Sequence, residues 1–157
     1  MTPLRIYIDT SVFGGYFEPE FSTASRALIA DVRSGKTIAI VSDIVAGELL
    51  RSPEQVRHVM EGLPSHCMEL FRVGPEVEEL AQAYLDAGVV TEKSRVDATH
   101  VAAASVARAN AIVSWNFKHI VNLRRIHGFN GVNIIRGYAP LDIQSPAAAL
   151  LREDRDE

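Results

Sequence analysis

Hydrophobic and polar positions along this chain switch repeatedly between two periods. Five short apolar or β-branched runs, at residues 5–8, 37–41, 68–73, 111–113 and 133–135, are bounded by Gly, Ser, Asn or Pro and predict strands. Helical spacing fills the intervals. Residues 23–33 place Ala24, Ala27, Leu28 and Val32 on one side, with Ser22 as cap and Gly35 just past the end. Residues 53–61 follow Ser52 and stop at Gly62, and residues 75–87 carry Val77, Leu80, Ala81, Tyr84 and Leu85 before Gly88. The Ala-rich stretch 97–109 opens with an acid, which suits a helix amino terminus. Residues 147–152 predict a short last helix. Strands separated by helices imply right-handed crossovers and a parallel sheet covered on both faces, with the ligand crevice beyond the carboxyl ends of the strands.

At 157 residues and 47% hydrophobic the chain predicts one folded domain, 1–150, followed by a charged tail, 151–157. Its net charge of −4 argues poorly for a polyanion partner, but the last five residues alone contribute −3. Local charge therefore decides more than the total. Cys67 is the single cysteine, so no internal disulfide forms and no zinc-ligand spacing exists. A strand signal by residue 5 leaves no room for a signal peptide, and no apolar run reaches membrane-span length. A cytoplasmic protein with no membrane association is expected.

Three acids stand where apolar stretches meet turns or helix starts: Asp9, Glu48 and Asp97. Carboxylates placed this way can converge on a hard cation such as Mg²⁺. Asp9 and Asp97 read equally as caps, and Glu48 as an exposed glutamate on an amphipathic helix. Glu48, however, lies among Ile44, Val45, Leu49 and Leu50, where an unpaired carboxylate is costly. Between Ala98 and Leu141 the only formal charges are Arg108, Lys118, Arg124, Arg125 and Arg136. Lys118, His119, Arg124, Arg125 and Arg136 are therefore candidates to line a phosphate backbone. His100, one helical turn after Asp97, is undecided between structure and chemistry. In Gly14-Gly15-Tyr16-Phe17 the glycines permit unusual backbone angles, and the aromatics either stack on an unpaired base or pack the loop.

Several other chemistries are excluded. Ser34-Gly35-Lys36-Thr37 mimics the end of a P-loop, but Ala30 replaces the earlier glycine and the order of helix and strand is reversed. Ser11 stands where an aspartyl-nucleophile phosphatase needs a second acid. No Gly-x-Ser-x-Gly elbow is present.

Four segments taken in order resemble the PIN-domain nucleases. They are Ile6-Tyr7-Ile8-Asp9-Thr10-Ser11-Val12-Phe13, Ser42-Asp43-Ile44-Val45-Ala46-Gly47-Glu48-Leu49, Asp97-Ala98-Thr99-His100-Val101-Ala102-Ala103-Ala104 and Ile112-Val113-Ser114-Trp115-Asn116-Phe117-Lys118-His119-Ile120. The VapC-type toxins of toxin–antitoxin pairs are the most similar group. That resemblance implies a three-layer α/β/α sandwich around a five-stranded parallel sheet, Mg²⁺- or Mn²⁺-dependent cleavage of RNA, and a homodimer inhibited by an antitoxin. Asp9, Glu48 and Asp97 match the metal-binding acids, supported by the hydroxyls of Thr10, Ser11 and Ser114. Asn116 occupies the fourth position, where an aspartate is usual; an amide oxygen can ligate a cation but brings no charge. Two other functions stay open: a non-catalytic RNA-binding or protein-interaction module on the same scaffold, and a DNA-directed or structure-specific nuclease.

Overall fold

A computed structural model of the protein describes residues 2–150. Five strands form one parallel sheet: β1 (Leu4–Ile8), β2 (Thr37–Ser42), β3 (Met68–Phe71), β4 (Ala111–Val113) and β5 (Asp142–Gln144). Their order is β3-β2-β1-β4-β5, so β1 is central and the direction of winding reverses between β1 and β4. Such a reversal opens a crevice at the carboxyl ends of those two strands. Asp9 follows β1 there, and Ser114 follows β4.

Helices α1 (Thr10–Gly15), α2 (Ser22–Arg33), α3 (Asp43–Leu50) and α4 (Glu54–Glu61) connect β1, β2 and β3, and α1 packs against the other three. Helices α5 (Pro75–Asp86), α6 (Arg95–Val106) and α7 (Leu123–Ile135) carry the chain back, with α5 packed on α6 and α7. Right-handed crossovers place these two groups on opposite faces, giving three layers. Tyr7, Ile8, Ile40, Val41, Ile112 and Val113 fill the sheet between them and are buried. Residues 146–150 form the start of a last helix; the rest of that expected helix and the 151–157 tail lie outside the described residues.

One predicted strand is corrected. Residues 133–135 are the last turn of α7. Asn122 starts that helix by accepting a hydrogen bond from the Arg125 backbone N–H, and Phe129 and Asn133, four residues apart, are its buried positions. The Tyr84 hydroxyl donates to Asn133 Oδ1, and Asn133 Nδ2 donates to Ser105 Oγ at 2.9 Å. Ile134 and Ile135, read as a buried strand, are exposed instead. The true fifth strand carries one buried apolar residue, Ile143, and is held by pairing with β4.

Gly15 also has a role different from the expected one. Its backbone is ordinary; positive φ among glycines occurs at Gly35, Gly88 and Gly137. A Cβ on Gly15 would lie 2.8 Å from both Ser25 Oγ and Trp115 Nε1, so the residue is needed for close approach. Tyr16 and Phe17 pack partly buried against the core, with the Arg26 guanidinium 4.6 Å over the Tyr16 ring. They hold the loop.

Candidate active site

The three acids come from three elements. Asp9 follows β1 as the cap of α1, Glu48 lies in α3, and Asp97 sits in the first turn of α6. Ser42 sets the entry of α3 by accepting the Val45 N–H. The structure brings the acids to the carboxyl end of the sheet, and polar side chains hold each one. Asp9 Oδ2 accepts from Ser11 Oγ at 2.8 Å and from Ser114 Oγ at 2.7 Å. Glu48 Oε1 accepts from Thr10 Oγ1 at 3.2 Å and lies 2.7 Å from His100 Nε2. Asp97 Oδ1 accepts from Asn116 Nδ2 at 3.1 Å.

Each carboxylate thus has one oxygen fixed and a second left over. Among the described residues no hydrogen-bond donor meets Asp9 Oδ1, Glu48 Oε2 or Asp97 Oδ2; Asp9 Oδ1 has only the longer 3.8 Å contact with His100 Nε2. Fixing one oxygen of a carboxylate orients the other without satisfying it, which is how supporting groups prepare ligands.

Asn116, expected at the fourth position of the set, stands beside Asp97. Its amide oxygen accepts the His119 backbone N–H at 2.9 Å, so its nitrogen is the end that faces Asp97. Through that nitrogen it positions an acid, while its oxygen is shared with the loop backbone. The Asn116 backbone N–H in turn donates to Ser114 Oγ at 3.0 Å, tying the loop after β4 to the Asp9 cluster.

His100 is the residue whose weight was not legible in the sequence. It is 2% exposed, its Nδ1 is 2.7 Å from the Tyr7 hydroxyl, and that hydroxyl is 2.7 Å from Ser42 Oγ. The ring bridges β1, α3 and α6. Burial opposes its protonation, but the hydrogen bond to Glu48 and the charges of Asp9, Glu48 and Asp97 outweigh burial and raise its pKa. Burial likewise opposes ionisation of Glu48, yet His100 and Thr10 hold that carboxyl below its ordinary range. Asp97 goes the other way. Burial, with the nearby charges of Asp9 and Glu48, pushes its pKa up, and His119 and His100 offset only part of this. The centre is short of positive charge.

The expected basic rim divides. Lys118 and Arg124 are exposed near the loop that carries Asn116, and Asn122 Nδ2 donates to the Lys118 carbonyl at 2.7 Å. His119 sits with Nδ1 3.3 Å from Ser94 Oγ, close enough for its charge to act on Asp97. Arg125 is half-buried, and its Nη1 has no hydrogen-bond partner among the described residues. Arg136 lies elsewhere: it caps the far end of α7 and lines a cavity with Arg108, Asn110 and Leu141, at the amino ends of β4 and β5. A continuous sequence segment has been folded so that its cations lie at opposite ends of the sheet.

The chemistry of the donor set, oxygen only and rich in charge, fits a hard divalent cation. Among the described residues, however, no group of three or more His, Cys, Asp or Glu side chains stands close enough together to enclose one.

No family model matches the chain, and no curated protein sequence does. Solved structures are similar to it. A chain of VapBC2 from Rickettsia felis, bound to a DNA fragment from its promoter, superposes with a TM-score of 0.57 at 12% identity, covering 90% of this chain and 98% of that one. VapC20 of Mycobacterium tuberculosis, a Sarcin-Ricin loop cleaving toxin, superposes with a TM-score of 0.51 at 22% identity, covering 68% and 86%. The protein has the three-layer PIN fold. Within it, the architecture is VapC-like.

Proposed function

We propose that this protein is a divalent-cation-dependent nuclease that hydrolyses RNA phosphodiester bonds, acting as the toxin of a type II toxin–antitoxin pair. One observation carries the reading. Three carboxylates from three elements stand at the same end of the sheet, close enough for the charges of Asp9 and Glu48 to act on Asp97, each with one oxygen fixed by neighbours and one without a donor among the described residues.

Asp9, Glu48 and Asp97 would hold Mg²⁺ or Mn²⁺, which supplies Lewis-acid polarisation of a phosphate and a more acidic bound water. The chain's own residues do the positioning. Ser11 and Ser114 orient Asp9, Thr10 orients Glu48, and Asn116 orients Asp97. His100, when protonated, places positive charge between Glu48 and Asp9, which moderates repulsion among the acids. Lys118 and Arg124, exposed beside the centre, offer cations to the flanking phosphates, with His119 next to Asp97. RNA is preferred over DNA as substrate because VapC20, which shares the fold, is a toxin that cleaves the Sarcin-Ricin loop. An antitoxin partner is supported by the VapBC2 complex, and an antitoxin arginine entering the acid centre would meet its charge shortage. A homodimer is part of the same proposal. No described helix is long and apolar enough to cross a membrane, in line with a cytoplasmic site of action.

Incubation of purified protein with RNA and Mg²⁺ or Mn²⁺ tests this. Cleavage should occur, and Asp9→Asn should reduce it about a thousandfold or more with the fold intact. Equal cleavage by that variant removes the reading. The rival is a non-catalytic binding module, favoured by the His100–Glu48 pair standing within the acid centre. It predicts RNA or protein binding with no cleavage under any divalent ion.

A further inference from the structure

We propose that the cavity beside the acid centre is a subsite for one unpaired nucleobase, next to the phosphodiester that the carboxylates address. This rests on the nuclease reading and adds a base-recognition element to it. The cavity holds about 660 Å³ and is bounded by the first residues of α1, by Phe21, by Val56 of α4 and by Trp115. That size lies within the roughly 300–1,000 Å³ typical of small-ligand sites.

Continuity places it in the substrate's path. Thr10, Ser11 and Asn116 line the cavity, and the same three side chains hold Glu48, Asp9 and Asp97. A nucleotide with its phosphate at the acids therefore has its base, or its neighbour's base, at the cavity mouth. The chemistry agrees. The walls are mainly apolar and Glu18 is their one ionisable side chain, so the cavity suits a flat uncharged body and not a phosphate. Hydroxyls and an amide at the rim, from Thr10, Ser11 and Asn116, can meet the polar edge of a base.

The aromatic wall is preset. Trp115 stacks on Phe21 with ring centroids 4.3 Å apart and an interplanar angle of 28°. Its Nε1–H donates to Ser25 Oγ at 2.8 Å, and its backbone N–H donates to Ser11 Oγ at 2.9 Å. Gly15 leaves room for the indole edge where any Cβ would collide. Phe117, half exposed, stands edge-on to Trp115 at 6.1 Å. Helices α1 and α2, with the Phe21 cap, thus fix one indole beside the centre, and a fixed aromatic surface loses little freedom when a base stacks on it.

Trp115 is the only tryptophan, so its emission reports occupancy directly. Wild-type protein in divalent-free buffer is titrated with a short unstructured oligoribonucleotide, and with versions carrying one abasic nucleotide moved stepwise along the strand. Binding is followed by anisotropy of a label on the RNA. The intact strand should change the tryptophan emission, and one abasic position should abolish that change and weaken binding about tenfold. Phe21→Leu should weaken the intact strand by a similar factor, and Trp115→Leu should raise KM for cleavage about tenfold with a smaller effect on kcat. Unchanged emission and equal affinity at every abasic position, with cleavage intact, overturns the subsite and leaves the nuclease reading standing. Absence of both RNA binding and cleavage removes the two together. An emission change produced by an arginine-containing amphipathic peptide and by no oligonucleotide assigns the cavity to a protein partner and also overturns the proposal.

Discussion

The two ends of the central strand treat charge in opposite ways. At the amino end, Arg5 of β1 meets Glu69 of β3 with two parallel contacts, Nε to Oε1 at 2.9 Å and Nη2 to Oε2 at 2.7 Å. Its remaining N–H groups reach the carbonyls of Arg108 and Ala107, at the end of α6, at 3.0 and 3.1 Å. The hydrogen bond from Arg5 holds the Glu69 carboxyl below its ordinary range. One acid and one base are matched. Four residues along the same strand, at the carboxyl end, three carboxylates share one buried imidazole and keep three oxygens without donors among the described residues. The amino end is built for stability. The carboxyl end keeps a charge imbalance that protonation, a cation or a positively charged partner would relieve, a pattern that functional sites often show at a cost in stability.

Mutations at the two ends should differ in size and in sign. His100→Leu should have the largest effect, because it takes one hydrogen-bond partner from Glu48 and one from the buried Tyr7 hydroxyl, leaving them Thr10 and Ser42; urea unfolding of divalent-free protein should show a loss of about 2–3 kcal/mol. The same residue governs pH dependence. Its native pKa is raised above 6.5, so its contribution is complete below that value and is lost as pH rises through the native pKa. Asp97, raised above 3.8, also favours the native state at lower pH, whereas Glu48, lowered below 4.5, loses its contribution as pH falls through its native pKa. Thermal melts of wild type without divalent ions should therefore decline as pH rises past 6.5, and His100→Leu should flatten that decline. Arg5→Met should cost about 0.5–1 kcal/mol by urea unfolding, since both partners are more than a third exposed and solvent screens the pair. The smallest change should be a gain. Asp97→Asn relieves a carboxylate penalised by burial and by its neighbours, and should stabilise the divalent-free protein by about 0.5 kcal/mol, while removing cleavage. A loss of stability in that variant would contradict the asymmetry between the two ends.

The fold was legible where local signals agreed with tertiary demands. β1, β2 and β4 are apolar runs bounded by breakers, and the sheet buries them. The fifth strand was not, because Asp142-Ile143-Gln144 offers one apolar residue and exists through its pairing with β4, a contact distant in sequence. The apolar triplet at 133–135 has no periodicity long enough to separate strand from helix, and the Asn122 cap eleven residues earlier decides it. Helix α1 was hidden because Asp9-Thr10-Ser11 are turn formers that here start a helix. At the site, the acids could be picked out by their positions at element boundaries. His100 could not: a lone histidine one turn after an aspartate reads the same whether solvated or buried, and its partners Tyr7 and Glu48 come from other elements. That Arg136 lies away from the acids was illegible for a related reason, since an acid-free stretch of sequence need not share one face.

The central claim is that the unpaired oxygens of Asp9, Glu48 and Asp97 form a cation site. Calorimetric titration of Mn²⁺ into wild-type protein and into the Asp9→Asn/Asp97→Asn double variant tests it without RNA. The account predicts saturable binding to the wild type that disappears in the folded double variant. Identical Mn²⁺ isotherms for the two proteins, or no heat with either, would contradict it.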